Sequence, residues 1–74
     1  MILFKTIKNR VNYYKINIYP TLFGDYLVQK EYGTTRSINP TNVIKEYAHS
    51  NKEALLLMLD IAIDKKNLGY LKSA

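Results

Sequence analysis

Apolar and polar residues alternate along the front half of the chain and recur at helical spacing along the back. The alternation is cleanest from Tyr13 to Tyr19, where Tyr14, Ile16 and Ile18 share one face and Tyr13, Lys15, Asn17 and Tyr19 the other. Successive strand residues point to opposite sides, so this segment predicts a half-buried antiparallel strand. Ile2 to Ile7 predicts a strand before it, across the polar turn Lys8-Asn9-Arg10-Val11-Asn12. Pro20 removes a ladder donor and ends the second strand; a loop through Gly24-Asp25 leads into a third, Tyr26 to Tyr32. Alternation there is poorer and leaves the inward face open. After the loop Ser37-Ile38-Asn39-Pro40, Asn42 to Tyr47 predicts the last strand.

The helix signal is the strongest. Ser50 or Asn51 can cap it, with Glu53 in capping-box register and near the positive helix end, and Gly69 supplies the stop. Ala54, Leu57, Met58, Ile61 and Leu68 make an apolar stripe for the sheet, with Leu55 and Ala62 at its margin. Leu56, Leu59 and Ile63 make a second ridge beside Lys52 and Asn67. Either the sheet curls over that ridge and lysine stems cover it, or it is a surface for a homodimer or protein partner. The expected fold is α+β: an antiparallel sheet of three or four strands with one long C-terminal helix packed on one face, a single domain over residues 1–74.

Seventy-four residues lie near the lower limit for a self-sufficient core. With no cysteine there are no disulfides, thiolate metal sites or cysteine nucleophile, so stability must come from packing. The apolar run Met1 to Phe4 is too short for a signal peptide, and no stretch approaches the roughly 20 apolar residues of a membrane span. The expected setting is cytoplasmic. A net charge of +5 favours an acidic partner such as nucleic acid. The same excess of lysine, with abundant Asn, Ile and Tyr, also follows from low-GC coding.

No catalytic constellation emerges. His49 is the only histidine and lacks the company a zinc site needs. Asp60 and Asp64 lie one turn apart opposite the stripe, a spacing that suits a solvated face beside Lys65 and Lys66. Neither Ser37 nor Ser50 has a complete activating relay, and the three glycines are too scattered to cradle a phosphate. The expectation is a protein that is not an enzyme and needs no metal, cofactor or small-molecule substrate.

Binding is what remains. The run Gly24 to Arg36 reads as a strand ending on an aromatic-glycine corner, with Gly33 allowing Tyr32 to be held out as a flat stacking surface near Arg36. Tyr13, Lys15, Tyr19, Lys30 and Tyr32 mix rings and ammonium groups on strands, a composition that stacks on bases while neutralising phosphate. Tyrosines on a small sheet can equally cover the core with their hydroxyls in water. The candidate nucleic-acid contacts are Tyr32, Gly33, Arg36, Lys30, Lys15 and Tyr13, with DNA or RNA as the partner.

The order of aromatic-Gly corner, strand, capped helix and terminal Gly69-Tyr70 resembles the WGR domain. The resemblance covers nearly the whole chain: Tyr14-Lys15-Ile16-Asn17-Ile18 followed by Leu22-Phe23-Gly24, the Tyr32-Gly33 corner, the helix start Ser50 to Ala54, and Lys65-Lys66-Asn67-Leu68-Gly69-Tyr70. Tyr32 stands where the family usually has Trp, and Thr34 where it has Arg, with Arg36 two residues on. In poly(ADP-ribose) polymerases such a domain helps grip a broken nucleic-acid end. The resemblance therefore implies Tyr32 as the stacking residue and Gly33 as its hinge. It implies no ADP-ribosyl transfer, which belongs to a separate catalytic domain.

Overall fold

The computed structural model describes residues 1–72. Its elements are β1 (Ile2–Ile7), β2 (Arg10–Pro20), β3 (Tyr26–Thr34), β4 (Asn42–Ala48), α1 (Asn51–Asn67) and β5 (Leu71–Lys72). The strands form one antiparallel sheet in the order β4-β3-β2-β1-β5, with α1 against one face, so the fold is α+β. Five strands replace the expected three or four. The fifth is two residues long, setting Leu71 opposite Phe4 and Lys72 opposite Leu3, and a pair of residues carries no readable alternation. Among the described residues no helix is long and apolar enough to cross a membrane.

The β1–β2 turn is tighter than its polar run suggests. Lys8 (φ 47°) and Asn9 (φ 67°) both take left-handed backbone, as in a two-residue type I′ hairpin, whose twist matches that of the flanking strands. Arg10, Val11 and Asn12 therefore join β2, opposite Ile7, Thr6 and Lys5.

β3 continues past Tyr32 through Gly33 to Thr34. Its helix-facing positions are Tyr26, Val28, Lys30 and Tyr32, opposite Pro20, Ile18, Ile16 and Tyr14 of β2. A lysine among them explains the broken alternation. Lys30 is only 8% exposed, and its ammonium donates to Glu46 Oε1 at 2.5 Å; an ammonium this buried is tolerated when paired.

Ser50 caps α1: its Oγ accepts from the Glu53 N–H at 3.1 Å, while the Glu53 carboxylate accepts from the His49 N–H at 3.1 Å. Gly69 (φ 99°) closes the other end in a Schellman turn, with Gly69 N–H to Lys66 O and Tyr70 N–H to Lys65 O, both 3.0 Å. Ala54 and Ala62 are buried, and Leu57, Met58 and Ile61 half-buried, against Leu3, Tyr14, Ile16, Val28 and Ala48. Leu68 departs from the expected stripe. It is the C-cap, where the chain leaves the helix, and it is exposed. Leu56, Leu59 and Ile63 are exposed as well, so the sheet does not curl over the second ridge.

Candidate nucleic-acid interface

The sheet face opposite α1 carries no second layer among the described residues, and the strand register orders its side chains into rows. Leu71, Phe4, Tyr13 and Gly33 form the first row; Ile2, Lys15, Glu31 and Val43 form the second. Asn17, Gln29 and Lys45 make the third, and Tyr19, Leu27 and Tyr47 the fourth. Aromatic rings thus stand at both ends with the cations Lys15 and Lys45 between them. At about 3.4 Å per residue, the rows from Tyr13 to Tyr19 span roughly 20 Å. Tyr19 and Tyr47 are both exposed, Tyr47 by 64%.

Gly33 shapes one end of this platform. A Cβ built on it would meet the Thr41 nitrogen at 2.9 Å and Pro40 Cα at 3.4 Å. The loop after β3 therefore lies down on the open face at Gly33, held by the Thr41 N–H donating to Tyr32 O at 2.9 Å. The result is a groove of about 400 Å³ with Ile2, Phe4, Tyr13, Lys15 and Glu31 as floor and Thr35, Ser37, Ile38 and Pro40 as wall. Its volume falls in the range of about 300–1,000 Å³ common to ligand sites. Its charge is mixed. Glu31 lies opposite Lys15 and accepts a 2.8 Å hydrogen bond from Gln29 Nε2.

The six residues singled out from sequence do not form one cluster. Tyr13 and Lys15 lie on the open face, and Arg36 is exposed in the loop that walls the groove. Lys30 is on the helix face, buried against Glu46. Tyr32 is not held out at a corner. It sits inside β3 on the helix face, half-buried, with its ring stacked on Tyr14 at 5.5 Å and an interplanar angle of 6°. Its hydroxyl accepts from Asn42 Nδ2 at 2.7 Å. Gly33 does not take left-handed backbone and is no hinge; it is there for close approach.

Around Tyr14 the helix face is closed. Lys65 Nζ stands 4.6 Å from the ring centroid, and Tyr70 meets the ring edge-on at 6.4 Å. Burial first, then the neighbouring Tyr32, Glu46 and Tyr70, push the Tyr14 hydroxyl above its ordinary pKa. This cluster is structural, an aromatic plug under the C-terminal half of α1. The partner-surface residues Leu56, Leu59 and Ile63 lie on the exposed flank of the helix, away from the open sheet face.

Comparison with protein-family models, curated proteins and solved structures finds no match. The register brings Phe4, Lys45 and Tyr47 onto the same open face as Tyr13 and Lys15. The signal for them is parity: once the two-residue turn fixes Phe4 opposite Tyr13, each strand's outward set follows from the one before.

Proposed function

We propose that this chain is a non-enzymatic nucleic-acid-binding module that takes single strands or ends on its open sheet face. The observation that carries this is the groove at Tyr13, whose floor holds the rings of Phe4 and Tyr13 beside Lys15 under a loop wall, on the same open face as Lys45, Tyr19 and Tyr47. Bases stack on Tyr13 and Phe4 at one end and on Tyr47 at the other, while Lys15, Lys45 and Arg36 meet phosphates. Stacking tolerates any base because every base has a π face. Cationic contacts release counterions, so the binding is salt-sensitive. Glu31 weakens the field around Lys15 and sets a limit on affinity. In the WGR resemblance the stacking role belongs to Tyr32; here Tyr13, directly across the ladder from Gly33, takes it instead.

Anisotropy with a labelled single-stranded oligonucleotide tests this at about 50 mM and 200 mM salt. Tyr13→Ala should weaken binding about five- to hundredfold, the equivalent of about 1–3 kcal/mol for one stacked base. Tyr32→Phe should leave it unchanged. Absence of binding at the lower salt, or indifference to Tyr13→Ala, would remove the proposal.

A further inference from the structure

We infer that the tip of the β1–β2 hairpin grips the phosphodiester backbone of the nucleic-acid strand whose bases occupy the groove at Tyr13. The inference rests on the function proposed above and adds a second contact to it. The positive charge is concentrated here. No Asp or Glu occurs before Asp25, whereas β1 and β2 carry Lys5, Arg10 and Lys15, and the turn between them carries Lys8. The rest of the chain has seven Lys and Arg against six Asp and Glu, so four of the five net positive charges belong to this one hairpin. On the neighbouring strand β3 the first acid from this end is Glu31, opposite Lys15.

The end of the hairpin is also bare. The helix stops over Lys5, whose ammonium donates to Leu68 O, and beyond it Thr6 to Arg10 are exposed. There Ile7, Lys8, Arg10 and Asn12 line a recess of about 470 Å³. Arg10 and Asn12 share its side because they keep the parity of Tyr14 along β2. A guanidinium matches two phosphate oxygens at once, and an amide adds an uncharged donor. A third cation comes from the loop after β3. The Thr35 N–H donates to Val11 O at 3.0 Å, and the Ser37 N–H to Thr34 O at 3.2 Å, closing a turn that carries Arg36. Arg36 thus stands between the recess and the loop wall of the groove. Both arginines of the chain are at this end. Among the described residues the one ion pair is Lys30 with Glu46, which leaves Lys8, Arg10 and Arg36 open to an outside anion. From Tyr13 to Asn9 at the tip is about 14 Å of strand, so a nucleic-acid strand stacked at Tyr13 reaches the recess by continuing over the hairpin end.

The salt dependence of binding to a labelled single-stranded oligonucleotide, followed by anisotropy from about 50 mM to about 200 mM salt, is the test. Each phosphate neutralised on a single strand adds about 0.7 to the slope of log K against log salt. Lys8→Ala and Arg10→Ala should each bind several-fold more weakly at the lower salt and each flatten the slope by about 0.7. Lys52→Ala removes the same charge from the first turn of α1, at the opposite end of the sheet, and should keep the wild-type slope. Tyr13→Ala should weaken binding with the slope unchanged. Lys8, Arg10 and Lys52 are exposed, so these variants should keep the circular dichroism spectrum of the fold. A wild-type slope in either Lys8→Ala or Arg10→Ala, with binding still sensitive to Tyr13→Ala, overturns the hairpin contact and leaves the proposed function standing. Equal flattening in Lys52→Ala overturns it too, because the effect would then follow net charge and not position. Absence of wild-type binding removes both.

Discussion

Adding one methyl group at Gly33 should lift the loop after β3 off the open sheet face. The new Cβ would lie 2.9 Å from the Thr41 nitrogen and 3.1 Å from Thr41 Oγ1. The nearer atom is backbone, so no side-chain rotation relieves the clash and the loop has to lift. Lifting breaks the Thr41 N–H to Tyr32 O hydrogen bond, about 1 kcal/mol, and overpacking adds about 1–3 kcal/mol. Alanine also restricts the unfolded chain, which offsets about 0.4–1 kcal/mol because Gly33 needs no left-handed backbone. The net loss for Gly33→Ala is about 1–3 kcal/mol, or roughly 5–20 °C in Tm for a chain this short. A thermal melt followed by circular dichroism reads it. Affinity for the oligonucleotide should fall in the same variant, since the groove loses its wall. A Gly33→Ala protein that melts at or above the wild-type temperature would refute the close-approach role.

The buried pair and the aromatic plug give two further predictions. Lys30→Met should be close to neutral, because methionine fills the space of the buried lysine stem and the Glu46 side chain it leaves behind is 43% exposed and stays solvated. Glu46→Ala should instead destabilise by about 1–3 kcal/mol, less than for a fully buried pair because the Glu46 side chain is 43% exposed. Urea unfolding of the two variants decides it, and the reverse order of stability would sink the assignment. Tyr14 contributes to the alkaline limit: burial and its neighbours raise its folded pKa above the unfolded value near 10. Its contribution is therefore fully present below about pH 10 and lost as pH rises through the folded value. Tm measured across that range should fall less steeply in Tyr14→Phe than in the wild type, and equal slopes would contradict it.

Local chemistry made some of this legible in the sequence. Ser50, Glu53 and Gly69 marked the helix because capping depends on residues within one turn of its ends. Tyr14, Ile16 and Ile18 marked the inner face of β2 because all three are apolar. β3 hid its inner face because Lys30 occupies an inward position made tolerable by Glu46, sixteen residues away. Tyr32 hides its place for a related reason. Gly33 looked like a strand end, yet the close approach it permits involves Thr41, a contact that spacing along the chain does not display. The alternation of β2 places Tyr13 and Lys15 on its outward side. Phe4 and Lys45 joined them only through the register.

The most direct test of which face does the binding is an amide-shift titration of the labelled protein with an unlabelled single-stranded oligonucleotide. Shifts should gather at Phe4, Tyr13, Lys15, Lys45 and the loop from Thr35 to Ile38, and leave Lys65 and Tyr70 in place. Shifts centred on Tyr14, Tyr32 and the end of α1, with the open face silent, would contradict the account.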